Sequence, residues 1–262
     1  MIWIALLLGL IEGLTEFLPV SSTGHLIIAS HLLGFTGETA STFGIFIQLG
    51  AILAVIWEYR QRLTRVVMGA LADRASFGLL SNLALAFLPA AAAGFLLHDF
   101  IKESLFGPVT VAAALVAGGV AMLAIEWSSP KAEVADVMRI SWRQALGVGL
   151  AQTLSLFPGV SRAAATIMGG MVCRLDRRTA TEFSFFLAIP TILAATLYDL
   201  LKSWSGLARA DLPVFTVGLA AAFVSALVAV RGFIRFISRH DFRPFAWYRI
   251  GLGLVLLLYF LK

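Results

Sequence analysis

The chain has 262 residues, 60% of them hydrophobic and only 13% charged, with a formal net charge of +5. That composition excludes an ordinary soluble globular protein and describes one that lives in a bilayer. The cationic surplus follows membrane topology, so nucleic acid is not the expected partner, and the single Cys173 excludes an intramolecular disulfide framework.

The first apolar segment, residues 2 to 33, lacks the basic flank of a signal peptide and carries Glu12, so it is expected to stay in the mature protein. It is interrupted at Pro19, just ahead of Ser21, Ser22, Thr23, Gly24 and His25. Such broken backbone survives in hydrocarbon only against protein or a water-filled cavity, so the segment reads as a re-entrant helix-loop-helix returning to the side it came from. Runs free of Asp, Glu, Lys and Arg follow at 39 to 57, 75 to 98 and 104 to 125, each near the roughly 20 residues that cross a membrane. Residues 144 to 172 repeat the opening pattern, broken at Pro158 before Gly159, Val160, Ser161 and Arg162. Spans at 183 to 201, 212 to 230 and 244 to 261 complete the chain. Asp199 and Arg249 fall toward segment ends, where a side chain reaches the headgroups. Trp57, Tyr59, Trp127, Tyr198, Trp204, Trp247 and Tyr248 read as interfacial aromatics. The expected class is an all-α integral membrane protein with six transmembrane helices and two re-entrant elements.

The distribution of Lys and Arg tests this arrangement. With both broken elements re-entrant, the loops at 60 to 74, 128 to 143, 171 to 182 and 231 to 246 hold fourteen cations, and the opposite side holds four. The rich side is expected in the cytoplasm and both termini outside. A shift of 140 residues exposes a repeat: GLIEGLTEFLPVSS falls on GLAQTLSLFPGVSR, and FGIFIQLGAILA on FSFFLAIPTILA, with 14 identities in 51 positions and no gap. Each copy, about 1 to 127 and 141 to 262, has an odd number of spans, so the two are expected to be inverted within a single membrane domain. Inverted repeats with broken helices place their site where the breaks meet.

The chemistry at the breaks is specific. Glu12 and Glu16 share a helical face, and carboxylates at membrane depth face a polar interior, suited to proton transfer or to a metal ion. Ser21, Ser22 and Thr23 could simply cap the following helix. With a glycine at a helix start they could equally hold an anion. His25, three residues after Ser22, could activate that hydroxyl or attack directly. His31, His98 and His240 read as structural. Arg162, inside the second break, either pairs with an acid or clamps a phosphate, with Gly159, Ser161 and Thr166 as further donors. Acids, a histidine, hydroxyls and one arginine together fit phosphoryl or pyrophosphoryl chemistry better than acyl transfer.

EGLTEFLPVSSTGH, FIQLGAILAV, PGVSR and TEFSFFLAIP closely resemble the undecaprenyl pyrophosphate phosphatase family, also known as bacitracin resistance proteins. The resemblance implies a bacterial inner-membrane enzyme that removes the terminal phosphate of the C55 lipid pyrophosphate, with its cleft opening to the periplasm. It implies roles for Glu12, Glu16, Ser21, Ser22, Thr23 and His25 in the first motif and for Ser161 and Arg162 in the second. It also implies a divalent cation, Mg²⁺ or Ca²⁺, for which Glu12 and Glu16 are the candidate ligands. The chain departs from the family where Ala163 and Ala164 follow Arg162, so no phosphate contact is carried to position 163. The expected partners are a polyprenyl pyrophosphate and the surrounding lipids, with a homodimer as a candidate assembly. A transporter or flippase for an anionic lipid phosphate is the rival, since inverted repeats and broken helices serve transport too.

Overall fold

Helices account for nearly all of the fold. The computed structural model describes residues 1–104, 107–128, 131–203 and 212–261; Trp204 and most of the 202 to 212 connection lie outside these. In chain order the helices are α1 (Ile2–Thr15), α2 (Ser22–Leu32), α3 (Glu38–Glu58), α4 (Arg60–Gly69), α5 (Arg74–Ser104), α6 (Pro108–Ser128), α7 (Trp142–Thr153), α8 (Arg162–Val172), α9 (Arg177–Ser203), α10 (Leu212–Ile237) and α11 (Arg243–Phe260). Extended structure among the described residues is confined to an isolated bridge between Val134 and Leu175.

Both proline breaks form as short helix pairs whose helices start 140 residues apart: α1 and α2 around Phe17 to Val20, α7 and α8 around a 3₁₀ turn at Leu154–Leu156 and Pro158. Each second helix starts on a serine at positive φ, Ser21 at 71° and Ser161 at 74°. Each serine accepts a capping bond at its side-chain oxygen, Ser21 from Gly24 N (3.4 Å) and Ser161 from Ala164 N (3.2 Å). Of the three hydroxyls in the first break that could cap, Ser21 does so, although an accepted bond leaves the hydroxyl proton free to donate.

Among the described residues, five helices are long and apolar enough to cross a membrane: Thr39–Glu58, Arg74–Leu97, Pro108–Ser128, Arg177–Asp199 and Leu212–Ile237. The sequence places the third of these from residue 104, but α5 continues to Ser104 and α6 begins at Pro108, because proline at a first helical position loses no intrahelical bond. The segment from 244 to 261 is helical as α11 but carries Arg243 and Arg249 and falls short of that apolarity. One short basic helix, α4, occupies what the sequence leaves as a loop.

Small residues let the helices approach closely. A Cβ on Gly9 would meet the backbone of Gly218, and one on Gly13 would meet Ser225, so α1 lies against α10 nearly backbone to backbone. Phe17, Phe183, Phe185, Phe186 and Phe242 are fully buried at the centre. Glu126, 2% exposed, accepts two bonds from Arg177 (2.5 and 3.1 Å) and one from Phe242 N (2.9 Å), tying α6, α9 and the start of α11 together. Leu88, Phe95, Val224, Val228, Val255 and Leu258 remain exposed, as on a surface that faces hydrocarbon.

Arg249 corrects the sequence reading most sharply. It does not reach toward headgroups but is fully buried, because a guanidinium can fan its donors over carbonyls that the broken helices leave without partners.

Candidate functional site

The residue before each break sets the geometry. Glu16 caps α1, and its carboxylate points across to the start of α2 and the start of α8. Its Oε2 accepts a 2.5 Å hydrogen bond from the Ser22 hydroxyl, and its Oε1 lies 3.2 Å from Nη2 of Arg162. Two elements 146 residues apart in sequence thus meet at one carboxylate. Arg162 is also fixed by α9: Nη1 donates to Ser184 O (3.1 Å) and approaches Ser184 Oγ (3.4 Å), and the guanidinium stands 5.6 Å from the Phe17 ring. Its Nε–H is buried with no partner among the described residues, leaving a donor free for an anion.

Glu12, one turn before Glu16, is fully buried, and neither carboxylate oxygen has a hydrogen-bond partner among the described residues. A carboxylate so placed suits a bound proton or a cation, since a buried charge without hydrogen-bond partners costs several kcal/mol, to order of magnitude. The expected divalent cation fits this donor chemistry. Glu12 and Glu16 offer hard oxygen ligands, and no group of three or more His, Cys, Asp or Glu gathers around a metal position among the described residues. Mg²⁺ is commonly held by one or two carboxylates together with substrate phosphate oxygens.

His25 does not face Ser22. Its Nδ1 lies 2.7 Å from the Ser21 carbonyl, and its Nε2 lies 2.6 Å from the hydroxyl of Tyr248 on α11. Both ring nitrogens are engaged, so the expected activation of Ser22 by His25 gives way to a contact with Glu16. The helix explains this: an imidazole three residues along reaches back to the carbonyl that precedes Ser22 more readily than to the hydroxyl itself.

Thr166 also departs from expectation. Fully buried, it donates to Arg162 O (2.8 Å) and shares a 2.6 Å bond with Ser184 Oγ, so it supports α8 rather than facing an anion. Thr23 is half-buried one residue past Ser22, and Ser161 stands at the mouth of α8 beside Arg162. Of the histidines read as structural, His31 lies edge-on to Phe260 and His240 stacks on Phe236. The side chain of His98 lies outside the described residues.

Ser184, Tyr248 and Arg249 were missed. Arg249 donates to Pro19 O (3.2 Å) in the first break, to Gly159 O (3.1 Å) in the second, and to Ala114 O (3.4 Å) and Leu115 O (3.5 Å) on α6. One guanidinium therefore holds both breaks in register. A signal was present, since a second arginine inside an apolar run needs partners as much as Arg162 does.

Gly159, at φ +96°, approaches α6 so closely that a Cβ would lie 2.5 Å from Val111 O and 3.0 Å from Ala114 Cβ. Gly159→Ala is expected to lower stability by about 2 kcal/mol or more, through the strained backbone and the collision together. A fall in the melting temperature of the purified protein checks this; an unchanged value would mean that α6 can yield.

A separate basic cavity of about 670 Å³, lined by Glu58, Arg62, Arg178, Glu182, Arg231 and Arg235 among others, includes no residue of either break.

Residues 5–255 match the family model described as bacitracin resistance protein BacA. The chain is similar to proteins named undecaprenyl-diphosphatase from Nitrosomonas europaea (55% identical, covering 97% of this chain and 93% of the relative), Methylobacillus flagellatus (53%, 98% and 97%) and Ectopseudomonas mendocina (51%, 98% and 94%).

Proposed function

The chain belongs to the bacitracin resistance protein BacA family, and from that membership and the meeting of Ser22, Glu16 and Arg162 we infer that it is an undecaprenyl-diphosphatase. It hydrolyses the terminal phosphate of undecaprenyl pyrophosphate, giving undecaprenyl phosphate and inorganic phosphate, as a multi-pass membrane protein. The finer arrangement follows the sequence reading: six spans, two re-entrant pairs in inverted repeats, a bacterial inner membrane, and a cleft opening to the periplasm. The matched starts of the two helix pairs and the separation of cationic loops support it.

The observation that carries the mechanism is the 2.5 Å contact between Ser22 Oγ and Glu16 Oε2. Ser22 attacks the terminal phosphorus: the Oγ–P bond forms as the bond from that phosphorus to the bridging oxygen breaks, and undecaprenyl phosphate leaves. The Ser22 proton passes to Glu16, a transfer worth about 10²- to 10⁴-fold in rate. Arg162 balances charge on the phosphoryl oxygens through the donors that Glu16 and Ser184 do not use. Ser161, Ser21, Thr23 and the free N–H groups at the starts of α2 and α8 add further donors around the two breaks. Water then cleaves the phosphoserine: its oxygen bonds to phosphorus as the Oγ–P bond breaks, Glu16 returns its proton to Ser22 Oγ, His25 accepts the proton from that water, and inorganic phosphate leaves. A divalent cation held by Glu12 and Glu16 supplies positive charge to the pyrophosphate when bound. Direct attack by His25 is not favoured, because both of its ring nitrogens are occupied. A carrier role is not favoured either, since the similar proteins are named for phosphatase activity.

The test is phosphate release from undecaprenyl pyrophosphate by the purified protein in detergent. Steady turnover, with ³²P from terminally labelled substrate trapped on serine, is expected. Binding of the lipid without any phosphate release would overturn the enzymatic reading.

A further inference from the structure

His25 is held at two corners of its ring, and only one of the holding groups belongs to its own helix pair. Its Nδ1 lies 2.7 Å from the Ser21 carbonyl, which can only accept, so Nδ1 carries a proton. A neutral imidazole then presents a bare Nε2, and the hydroxyl 2.6 Å away, that of Tyr248, must donate into it. The two rings lie nearly parallel, 6° apart with centroids 5.6 Å from each other, so the contact fixes the ring plane as well as the nitrogen. The position of Tyr248 is itself fixed. The next residue, Arg249, is pinned to carbonyls of α6 and of both breaks, so α11 cannot turn or slide at this point without breaking those bonds.

We propose that Tyr248 is a positioning residue for the phosphatase reaction, holding His25 in its Nδ1–H tautomer and carrying protons to it. This rests on the assignment of His25 to the hydrolytic step. As water attacks the phosphoserine, a water proton passes to the Tyr248 hydroxyl oxygen while the hydroxyl's own proton passes to His25 Nε2. The phenol ends neutral and the imidazole ends protonated, so the proton is accounted for without leaving an exposed phenolate. The proton returns by the same route to the departing phosphate.

The experiment is a mutant cycle in the full-length purified protein. Tyr248→Phe keeps the ring and removes only the hydroxyl. It is expected to lower kcat for phosphate release about tenfold with KM unchanged, the scale of one hydrogen bond to a group that becomes charged. In a His25→Gln background the same change is expected to cost nothing further, because Tyr248 acts through His25. Equal losses in both backgrounds would make Tyr248 merely structural and overturn the proposal, as would an unchanged rate in Tyr248→Phe alone. A second readout needs no residual activity: with ¹⁵N-labelled histidine, Tyr248→Phe is expected to shift the Nε2 resonance of His25 alone among the four histidines. An unmoved resonance overturns the hydrogen bond. If His25→Gln releases phosphate at the full rate, the placement of His25 in the site fails and this proposal with it, while the phosphatase assignment stands on the wild-type rate.

Discussion

Glu16→Gln is expected to reduce phosphate release by about 10³-fold, the middle of the range for losing a positioned general base. The substitution keeps the size of the side chain and can still receive a hydrogen bond from Ser22, so the break is expected to stay folded. It removes the group that takes the Ser22 proton, and it removes the negative charge that faces Arg162 across 3.2 Å. The second loss frees the arginine to bind substrate more tightly in the ground state, so KM is expected to fall while kcat collapses. Tighter binding joined to slower turnover separates a base from a structural acid, whose loss would lower protein yield and leave the turnover of the folded fraction intact. Turnover within threefold of wild type would assign the base elsewhere.

Arg249→Ala is expected to have the largest effect on stability, about 3 kcal/mol or more. Two backbone carbonyls at the breaks lose their donor, two on α6 lose a second one beyond their helix bonds, and the volume of a fully buried arginine is left empty. Two of those carbonyls, on Pro19 and Gly159, belong to the two breaks, so the separation of Ser22 from Arg162 is expected to loosen even in protein that still folds. Arg249→Lys is expected to recover only part of the loss, since an ammonium has no planar fork to span acceptors on three elements. Thermal melting in detergent and phosphate release measure the two consequences separately. A melting temperature equal to wild type for Arg249→Ala would show that the breaks hold themselves.

Much of this was legible in the chain because it is written locally. Proline followed by hydroxyls within an apolar run announces a broken helix, and the offset of 140 residues predicted that the second break would share the shape of the first. The acids and Arg162 were legible because charge at membrane depth requires a reason. What stayed hidden depends on directions in space. Ser22 and His25 are neighbours along a helix, yet one turns to Glu16 and the other to Tyr248, and residue spacing gives proximity without orientation. Ser184 lies in a segment that reads as plain span. Arg249 was given an interfacial role because its distance from the end of the helix permits one, and only the fold reveals that the carbonyls needing a donor lie inward.

The two serines that open α2 and α8 hold φ angles of 71° and 74°, in a region that glycine enters freely and residues with a Cβ resist. Conformation alone would select glycine at both places. The chain instead accepts backbone strain twice, at equivalent points of its two halves, and in return keeps an oxygen at each. Residues 21 and 161 thus mark where the demands of folding and of chemistry diverge, and the side chains present show which of the two prevailed.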